Sequence, residues 1–355
     1  MKLSIDGMLE IDGSSGEGGG QILRIALAMA VLCRREVIIR RIRANRPRPG
    51  LRPQHLQAVR ALAAIGMADV EGAEVDSTRL SFRPRGLRAG PYRFAIGTAG
   101  ACTLLLAAVL PPLLFAAGPS EVVVTGGTHV PFSPPYHYFA EVFLPALAAM
   151  GARVECALGR WGWHPEGGGE VRVRIAPCRG LHGGHLEEPG PLRALELLVG
   201  LGNLPEHVGR REAAAVRRCL GGQAGLLASR IVRAEAAGQG NALFLKAVFE
   251  RTVAGFTSLG RRGKPAEQVA EEVCREWGSF MAGQATVDRH LADQLIPYLA
   301  LASGRSSLVT EELTSHLRTN IEVVQQFLPV RFETDPRQAL VKVIGCSVPP
   351  SGCPG

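Results

Sequence analysis

Apolar and polar positions along this 355-residue chain switch repeatedly between the periods of strands and helices. Residues 8–12 read as a strand, a glycine-rich turn follows, and Gly20–Leu32 makes an apolar helix. Val37–Arg41 alternates as a strand, and Pro53–Ile65 places Leu56, Val59, Leu62 and Ala63 on one helical face. Candidate strands at Glu71–Val75 and Arg79–Phe82 complete a β-α-β-α-β-β order. That order then recurs. Tyr92–Ile96 is a strand, Gly100–Leu110 a helix, Glu121–Thr125 a strand, Ser133–Met150 a helix opened by prolines, and Arg153–Ala157 and Glu170–Ile175 are strands. Glu17-Gly-Gly-Gly20 and Glu166-Gly-Gly-Gly169, each beside a strand, form a weak internal echo.

The pattern changes near Pro177–Pro191, a stretch rich in Gly, His and Pro that reads as a linker. Beyond it come a helix at Pro205–Leu220, strands near Arg230–Ala236, Ala242–Glu250 and Thr252–Ser258, and a helix at Pro265–Met281 with Val269, Val273 and Trp277 on one stripe. Residues 187–283 therefore read as a small α/β domain inserted into a larger one formed by 1–186 and 284–342, with 343–355 a loose tail. The larger unit resumes near Gln284 with a helix through Leu301, a strand near Leu308–Thr310 and a helix at Ile321–Leu328. The class is α/β (α+β).

Charge sharpens this picture. The chain carries a net charge of +8 and only four lysines, so almost all of its basic residues are arginine. Residues 24–60 hold ten arginines against one acid, Glu36, and the other 318 residues sum to −1. One basic segment on a near-neutral protein points to a phosphate-rich partner. The 46% apolar content excludes disorder, and the eight thinly spread cysteines exclude a disulfide scaffold. No C-x-x-C pair and no Cys/His zinc spacing is present, and His182 and His185 read as solvated residues of a glycine-rich loop. The first thirteen residues contain Asp6, Glu10 and Asp12 and no apolar core, so no secretory signal is expected. The longest uncharged apolar run, Ala101–Ala117, is interrupted by Pro111 and Pro112, too short to cross a bilayer. A reducing cytoplasmic setting with no membrane association is the expectation.

Four segments carry candidate chemistry. Asp12-Gly-Ser-Ser-Gly-Glu-Gly-Gly-Gly-Gln-Ile-Leu-Arg24 runs from a strand through glycines into a helix, a local arrangement that brings backbone N–H groups close to an anion. It matches neither a Walker loop nor a dinucleotide-binding fingerprint. Glu17 would repel phosphate there unless a divalent cation bridged them, and Arg24 could reach the same anion. The second segment, Arg40 to His55, sets Arg41 and Arg43 on one face of a strand and Arg46, Arg48 and Arg52 on a proline-stiffened loop. The third, Arg289-His-Leu-Ala-Asp-Gln294, opens an apolar helix. The fourth, Leu313-Thr-Ser-His-Leu-Arg-Thr-Asn320, precedes a helix for which Thr319 or Asn320 can act as N-cap. His316 would then lie near a positive helix end, which favours a phosphoryl group carried on its ring.

Together these segments resemble the RNA 3′-terminal phosphate cyclase family, from Ile11 to about Phe332. The resemblance rests on D-G-x-x-G-E-G-G-G-Q-I-L-R, R-A-N-R-x-x-P-G-L-x-x-Q-H, G-T-A-G at Gly97–Gly100, G-G-T-H-V-P-x-S-P-P at Gly126–Pro135, H-L-A-D-Q at His290–Gln294 and S-H-L-x-T-N-I at Ser315–Ile321. It implies a fold of three β-α-β-α-β-β repeats with one inserted small α/β domain. It also implies an activity: a histidine attacks the α-phosphate of ATP, AMP passes to an RNA 3′-phosphate, and the neighbouring 2′-hydroxyl closes a 2′,3′-cyclic phosphate.

By the same resemblance His316 stands at the nucleophile, and Glu17 at the position that holds Mg²⁺ or Mn²⁺. Arg24, Arg43, Arg46 and Gln54 match positions that handle phosphate, while Pro134 and His290, Leu291, Ala292, Asp293 and Gln294 match the nucleotide pocket, where Asp293 would hold ribose or adenine. One departure is Ala107, where the family often has a Gln that helps hold the nucleotide. Two other classes share related architecture: a non-catalytic RNA-binding ribosome-assembly relative, whose branch lacks the histidine, and an enolpyruvyl transferase, which needs no adenylylated histidine. His316 in its S-H-L-x-T-N-I setting argues against both.

Overall fold

A computed structural model of the chain describes residues 8–16 and 18–346. The first unit is β1 (Leu9–Asp12), α1 (Gly20–Cys33), β2 (Val37–Arg40), α2 (Pro53–Gly66), β3 (Asp69–Glu71) and β4 (Leu80–Arg83). The second is β5 (Pro91–Ala95), α3 (Cys102–Leu114), β6 (Ser120–Gly126), a continuous helical stretch made of α4 (Tyr136–Tyr138), a π-helical turn at Phe139–Phe143 and α5 (Leu144–Ala149), then β7 (Val154–Arg160) and β8 (Gly169–Ile175). The chain continues through β9 (Leu181–His182), β10 (His185–Leu186), β11 (Leu192–Gly202), α6 (Glu206–Leu220), β12 (Leu227–Ala234), β13 (Gly240–Phe249), β14 (Val253–Leu259) and α7 (Ala266–Ala282). It ends with α8 (Arg289–Leu301), β15 (Ala302–Ser303), β16 (Arg305–Val309), α9 (Ser315–Phe327), β17 (Phe332–Asp335) and β18 (Leu340–Ile344).

Three four-stranded sheets share one plan, with orders β1-β2-β4-β3, β5-β6-β8-β7 and β10-β16-β18-β17. In each, the first two strands are parallel and the other two pairings antiparallel. Parallel neighbours require a crossover, and α1 and α3 supply it in the first two sheets. These helices bury nearly all of their surface in a core shared with α2, α8 and α9. A further sheet, β12-β11-β13-β14, packs its apolar face on α6 and α7 around Val199, Leu243, Leu245, Val273 and Trp277, and has its own hydrophobic cluster.

Several elements differ from the sequence expectation. The run 192–202 carries no strand prediction, yet β11 is the central strand of the fourth sheet. Its continuous apolar run, Leu195 and Leu197–Leu201 with nearly every residue buried, lacks the alternation of a half-exposed strand. His182 and His185 fall in β9 and β10, because their pairing partners, Ser303 and Ser307, lie more than a hundred residues away. The strand expected at Glu71–Val75 ends at Glu71, where Gly72 turns the chain with φ +78°. β18 reaches Ile344, so the segment expected to be a loose tail from 343 begins inside a sheet; residues 347–355 lie outside the described residues.

The helix expected to stop at Leu110 runs through Pro111 and Pro112 to Leu114. A proline inside a helix costs about 3 kcal/mol. Leu113 and Leu114, both fully buried, return about 1.5–3 kcal/mol each on burial, so the last turn forms despite the prolines. The missing proline N–H groups leave the Ala107 and Ala108 carbonyls without their intrahelical donors, and both residues line the cleft described below. Among the described residues, no helix is long and apolar enough to cross a membrane.

Glu212 of α6 is fully buried, accepts a 3.0 Å hydrogen bond from Asn241 through one oxygen, and has no partner on the other among the described residues. Burial pushes its carboxyl up to about 7 from an ordinary 4.5. The folded state then holds this proton more tightly than the unfolded chain, so its contribution is present below pH 4.5 and is lost as pH rises through 7. Urea unfolding should therefore show wild type losing about 3 kcal/mol between roughly pH 4 and pH 8 relative to Glu212→Gln. Parallel stability curves for the two proteins would contradict this.

Candidate active site

Five helices present the second residue of their first turn to one cleft of about 670 Å³: Gln21 of α1, Gln54 of α2, Thr103 of α3, His290 of α8 and His316 of α9. A helix N-terminus exposes unsatisfied N–H groups and about half a positive charge. Five of them around one space make it attractive to anions before any charged side chain is counted. α1 and α3 begin after Gly19 and Ala101, with no side chain capping their first turns. The Cys102 amide that opens α3 donates to the Gly127 carbonyl at 2.8 Å, and no cap side chain occupies the amides that follow it or those of α1.

The other side of the cleft is tied down. Asp288 caps α8, accepting from the His290 and Leu291 amides at 3.0 Å each, and also accepts from the Tyr138 hydroxyl at 2.6 Å and the Gly255 amide at 3.1 Å. Thr314 caps α9: its hydroxyl accepts from the Leu317 amide at 2.9 Å and donates to Asp293 Oδ1 at 2.5 Å. This corrects the expected cap at Thr319 or Asn320. Thr319 instead donates back to the Ser315 carbonyl at 2.8 Å, and Asn320 donates to the Asp293 carbonyl at 2.6 Å. With both side chains engaged within or beside the helix, α9 begins at Ser315, and His316 sits in its first turn rather than in a preceding loop.

Arginines complete the positive wall. Arg24, Arg43 and Arg46 all line the cleft. Burial lowers Arg24 only to about 10, so it remains cationic at neutral pH, and among the described residues no carboxylate pairs with it. A half-buried cation with no carboxylate beside it among the described residues favours a negatively charged ligand. Arg43 has a left-handed backbone, φ +54°, and donates to the Arg48 and Gly50 carbonyls at 2.7 and 3.0 Å, which folds the loop back on itself. Burial, then Arg46 and Arg52, lower its pKa. His55 accepts from the Arg52 amide through Nδ1 at 3.1 Å, and burial with Arg24, Arg43 and Arg52 nearby drives it down to about 3. It is therefore neutral, with Nε2 carrying the proton. Glycine is required at position 20, because a Cβ there would lie 2.3 Å from His55 Nε2 and 3.0 Å from Arg24 Nη1.

Most of the expected site residues meet here. Gln54, Pro134, His290, Asp293, Gln294 and His316 line the cleft with the three arginines. Pro134 is held by the Thr103 hydroxyl, which donates to its carbonyl at 2.6 Å, and Gln294 donates to the His290 carbonyl at 2.9 Å. Leu291 and Ala292 do not join them. They are buried in the core, since the helical period sends 290, 293 and 294 to one side and 291 and 292 to the other. Asp293 spends one carboxylate oxygen and its carbonyl on α9, so it anchors the cap of the His316 helix. Glu17 lies outside the described residues. Among the described residues, no group of three or more His, Cys, Asp or Glu comes together to hold a metal ion.

The polar lining residues outside the expected set include Gln21, His55, Thr103 and Asn320. Three of them stand inside the motifs quoted above, so position was legible while role was not. The capping geometry gives a direct test. Thr314→Val should cost about 1–2 kcal/mol in denaturant unfolding, and Thr314→Ser should recover most of it. Equal loss in both variants would show that the hydroxyl is not what holds the helix start.

Comparison with known proteins agrees with this geometry. The family model described as RNA 3′-terminal phosphate cyclase matches residues 15–334. A protein of Ralstonia nicotianae named RNA 3′-terminal phosphate cyclase is 46% identical over 323 residues, covering 91% of this chain and 92% of that protein. Proteins of the same name from Methylococcus capsulatus and Pyrobaculum aerophilum are 46% and 43% identical, covering 90% and 92% of this chain and 91% and 94% of their own lengths. Among solved structures, the enolpyruvyl transferase NikO from Streptomyces tendae matches 96% of this chain and 82% of its own at 12% identity, with a TM-score of 0.25. With sequence identity above 40% across nine-tenths of the chain and a family model spanning both halves of the cleft, this protein belongs to the RNA 3′-terminal phosphate cyclase family.

Proposed function

We propose that this protein converts an RNA 3′-terminal phosphate into a 2′,3′-cyclic phosphate at the expense of ATP, with His316 as the adenylyl acceptor, in the cytoplasm. The observation that carries this reading is a histidine in a helix first turn that shares one cleft with a half-buried Arg24, which has no carboxylate partner among the described residues. In the first step a ring nitrogen of His316 attacks the α-phosphorus of ATP. The N–P bond forms as the bond from α-phosphorus to the bridging oxygen breaks, and pyrophosphate leaves. In the second step an oxygen of the RNA 3′-phosphate attacks the same phosphorus and releases the histidine. The 2′-hydroxyl then attacks the activated 3′-phosphorus, losing its proton as AMP departs.

Phosphoryl transfer depends chiefly on positioning and on neutralising oxygen charge. Arg24, Arg43 and Arg46 and the uncapped ends of α1 and α3 supply both. A divalent cation, Mg²⁺ or Mn²⁺, would enter as the chelate of the triphosphate and neutralise part of its charge. The described residues build no cluster of their own for it. Pro134 and His290 flank the cleft where a nucleotide base would be gripped, and the two freed carbonyls of α3 take the place of a side-chain acceptor at Ala107. A ribosome-assembly role without catalysis would leave His316 and the cleft-lining Arg24 without a purpose.

Incubation with α-labelled ATP and Mg²⁺ or Mn²⁺ should leave an acid-labile, base-stable label on wild type and none on His316→Ala. Label persisting on that variant would remove His316 from the role. Arg43→Ala and Arg46→Ala should each slow adenylylation or RNA activation in single-turnover assays while leaving thermal unfolding unchanged, a loss of about 1.5–3 kcal/mol in transition-state stabilisation per charged hydrogen bond. If neither step changes, those arginines serve only as surface charge. Binding of RNA should weaken with salt at a slope that reports the phosphates neutralised.

A further inference from the structure

Two bonds between the helices that cover the fourth sheet set α6 and α7 in register. Near their starts, Arg211 donates to Glu267 through Nε and Nη2 at 2.9 and 2.6 Å. Near the other end, the Trp277 indole N–H donates to Gln223 Oε1 at 3.1 Å, Gln223 lying in the 3₁₀ turn Gly221–Leu226 that follows α6. Both partners of the second bond stand further along the chain than those of the first, so the two helices run in the same direction. Cys219 precedes Gln223 by four residues, and Cys274 precedes Trp277 by three. Positions three and four apart share a helical face, so one turn back from the Gln223–Trp277 bond the register sets one cysteine against the other.

The two thiols are hydrogen-bonded to each other. Cys219 is exposed, while Cys274 is half-buried and packs on the apolar cluster that holds Val273 and Trp277. Burial, and then the bond to Cys219, push the Cys274 thiol up, so it stays protonated at neutral pH. Neither cysteine lines the cleft.

We propose that Cys219 and Cys274 form an oxidative modification site, closing to a disulfide that clasps α6 to α7 when the protein meets hydrogen peroxide. The exposed Cys219 sulfur attacks one peroxide oxygen, the O–O bond breaks, and the other oxygen leaves as water with the thiol proton. The Cys274 sulfur then attacks the sulfur of the Cys219 sulfenic acid. The S–O bond breaks, and the hydroxyl leaves as a second water with the Cys274 proton. Two thiols thus lose two electrons and two protons, and one peroxide becomes two waters. Exposure fixes the order, because only Cys219 is open to a reagent from solvent. Disulfide geometry tolerates little backbone displacement, and the two flanking bonds keep the helices from sliding past each other. Once formed, the link closes the chain from 219 to 274 into a ring, which restricts the unfolded chain and favours the folded one. The inference uses no residue of the cleft and stands apart from the cyclase reading.

The test exposes reduced full-length protein to hydrogen peroxide, blocks the remaining thiols with iodoacetamide and digests with trypsin. Mass spectrometry should find the peptides carrying Cys219 and Cys274 joined within one chain, at their combined mass less two hydrogens, and dithiothreitol should separate them. Cys219→Ser and Cys274→Ser should each lose the link. Cys274→Ser should instead accumulate a sulfenic acid on Cys219, trapped by dimedone, whereas Cys219→Ser should leave Cys274 unoxidised. Oxidised wild type should unfold at a higher temperature than reduced wild type, an increase absent from both serine variants; unfolding of the reduced variants checks that each one folds. Peroxide treatment that leaves the two peptides unlinked, or joins cysteines of two chains, overturns the site. A link that leaves the unfolding temperature unchanged overturns the clasp. Labelling of His316 by ATP bears on neither outcome.

Discussion

The constraint on which this structure depends is the meeting of five helix N-termini around one cleft. Each contributes partial positive charge, and without an anion their convergence is repulsive. The fold tolerates it because the helices are held elsewhere by burial. α1 and α3 are packed nearly all round, and α8 and α9 are fixed by the side chains of Asp288 and Thr314. The capped helices carry the residues that must be placed accurately, His290 and His316. The uncapped ones leave backbone donors open.

Charge follows the same logic. Many arginines outside the cleft are paired with acids on the surface, among them Arg83 with Glu36, Arg210 with Glu206 and Arg211 with Glu267. Such exposed pairs contribute little to stability. Arg24 differs because it is half-buried and meets no carboxylate among the described residues, and Arg43 because its neighbours are other arginines. The basic bias of residues 24–60 is therefore concentrated where a polyanion can discharge it. The neutral His55 between these cations fits the same account, since a further positive charge there would be strongly disfavoured.

Much of the site was readable before the fold was known. Arg24, Arg43, Arg46, Gln54, Pro134, His290, Asp293, Gln294 and His316 come from five separate segments and line one cleft. Their roles were less readable. Asp293, expected to hold ribose or adenine, also holds the cap of α9 through one carboxylate oxygen. Leu291 and Ala292 stand inside a contiguous motif, but helical geometry turns them into the core. The boundary of α9 was misplaced because Thr314, Thr319 and Asn320 all have capping side chains, and only their tertiary partners distinguish them.

Local chemistry in the chain determined the helices, the glycine turn before α1, the arginine-rich loop and the family to which they belong. These depend on periodicity, turn residues and spacing, which are properties of neighbouring residues. The tertiary structure alone decided that β11 is a central strand, that β9 and β10 pair with residues far along the chain, and that α3 continues through two prolines. It also decided that Gln21 reaches across nearly three hundred positions to the ring of His316. Such outcomes depend on partners distant in sequence, whose burial and hydrogen bonds outweigh the local preference.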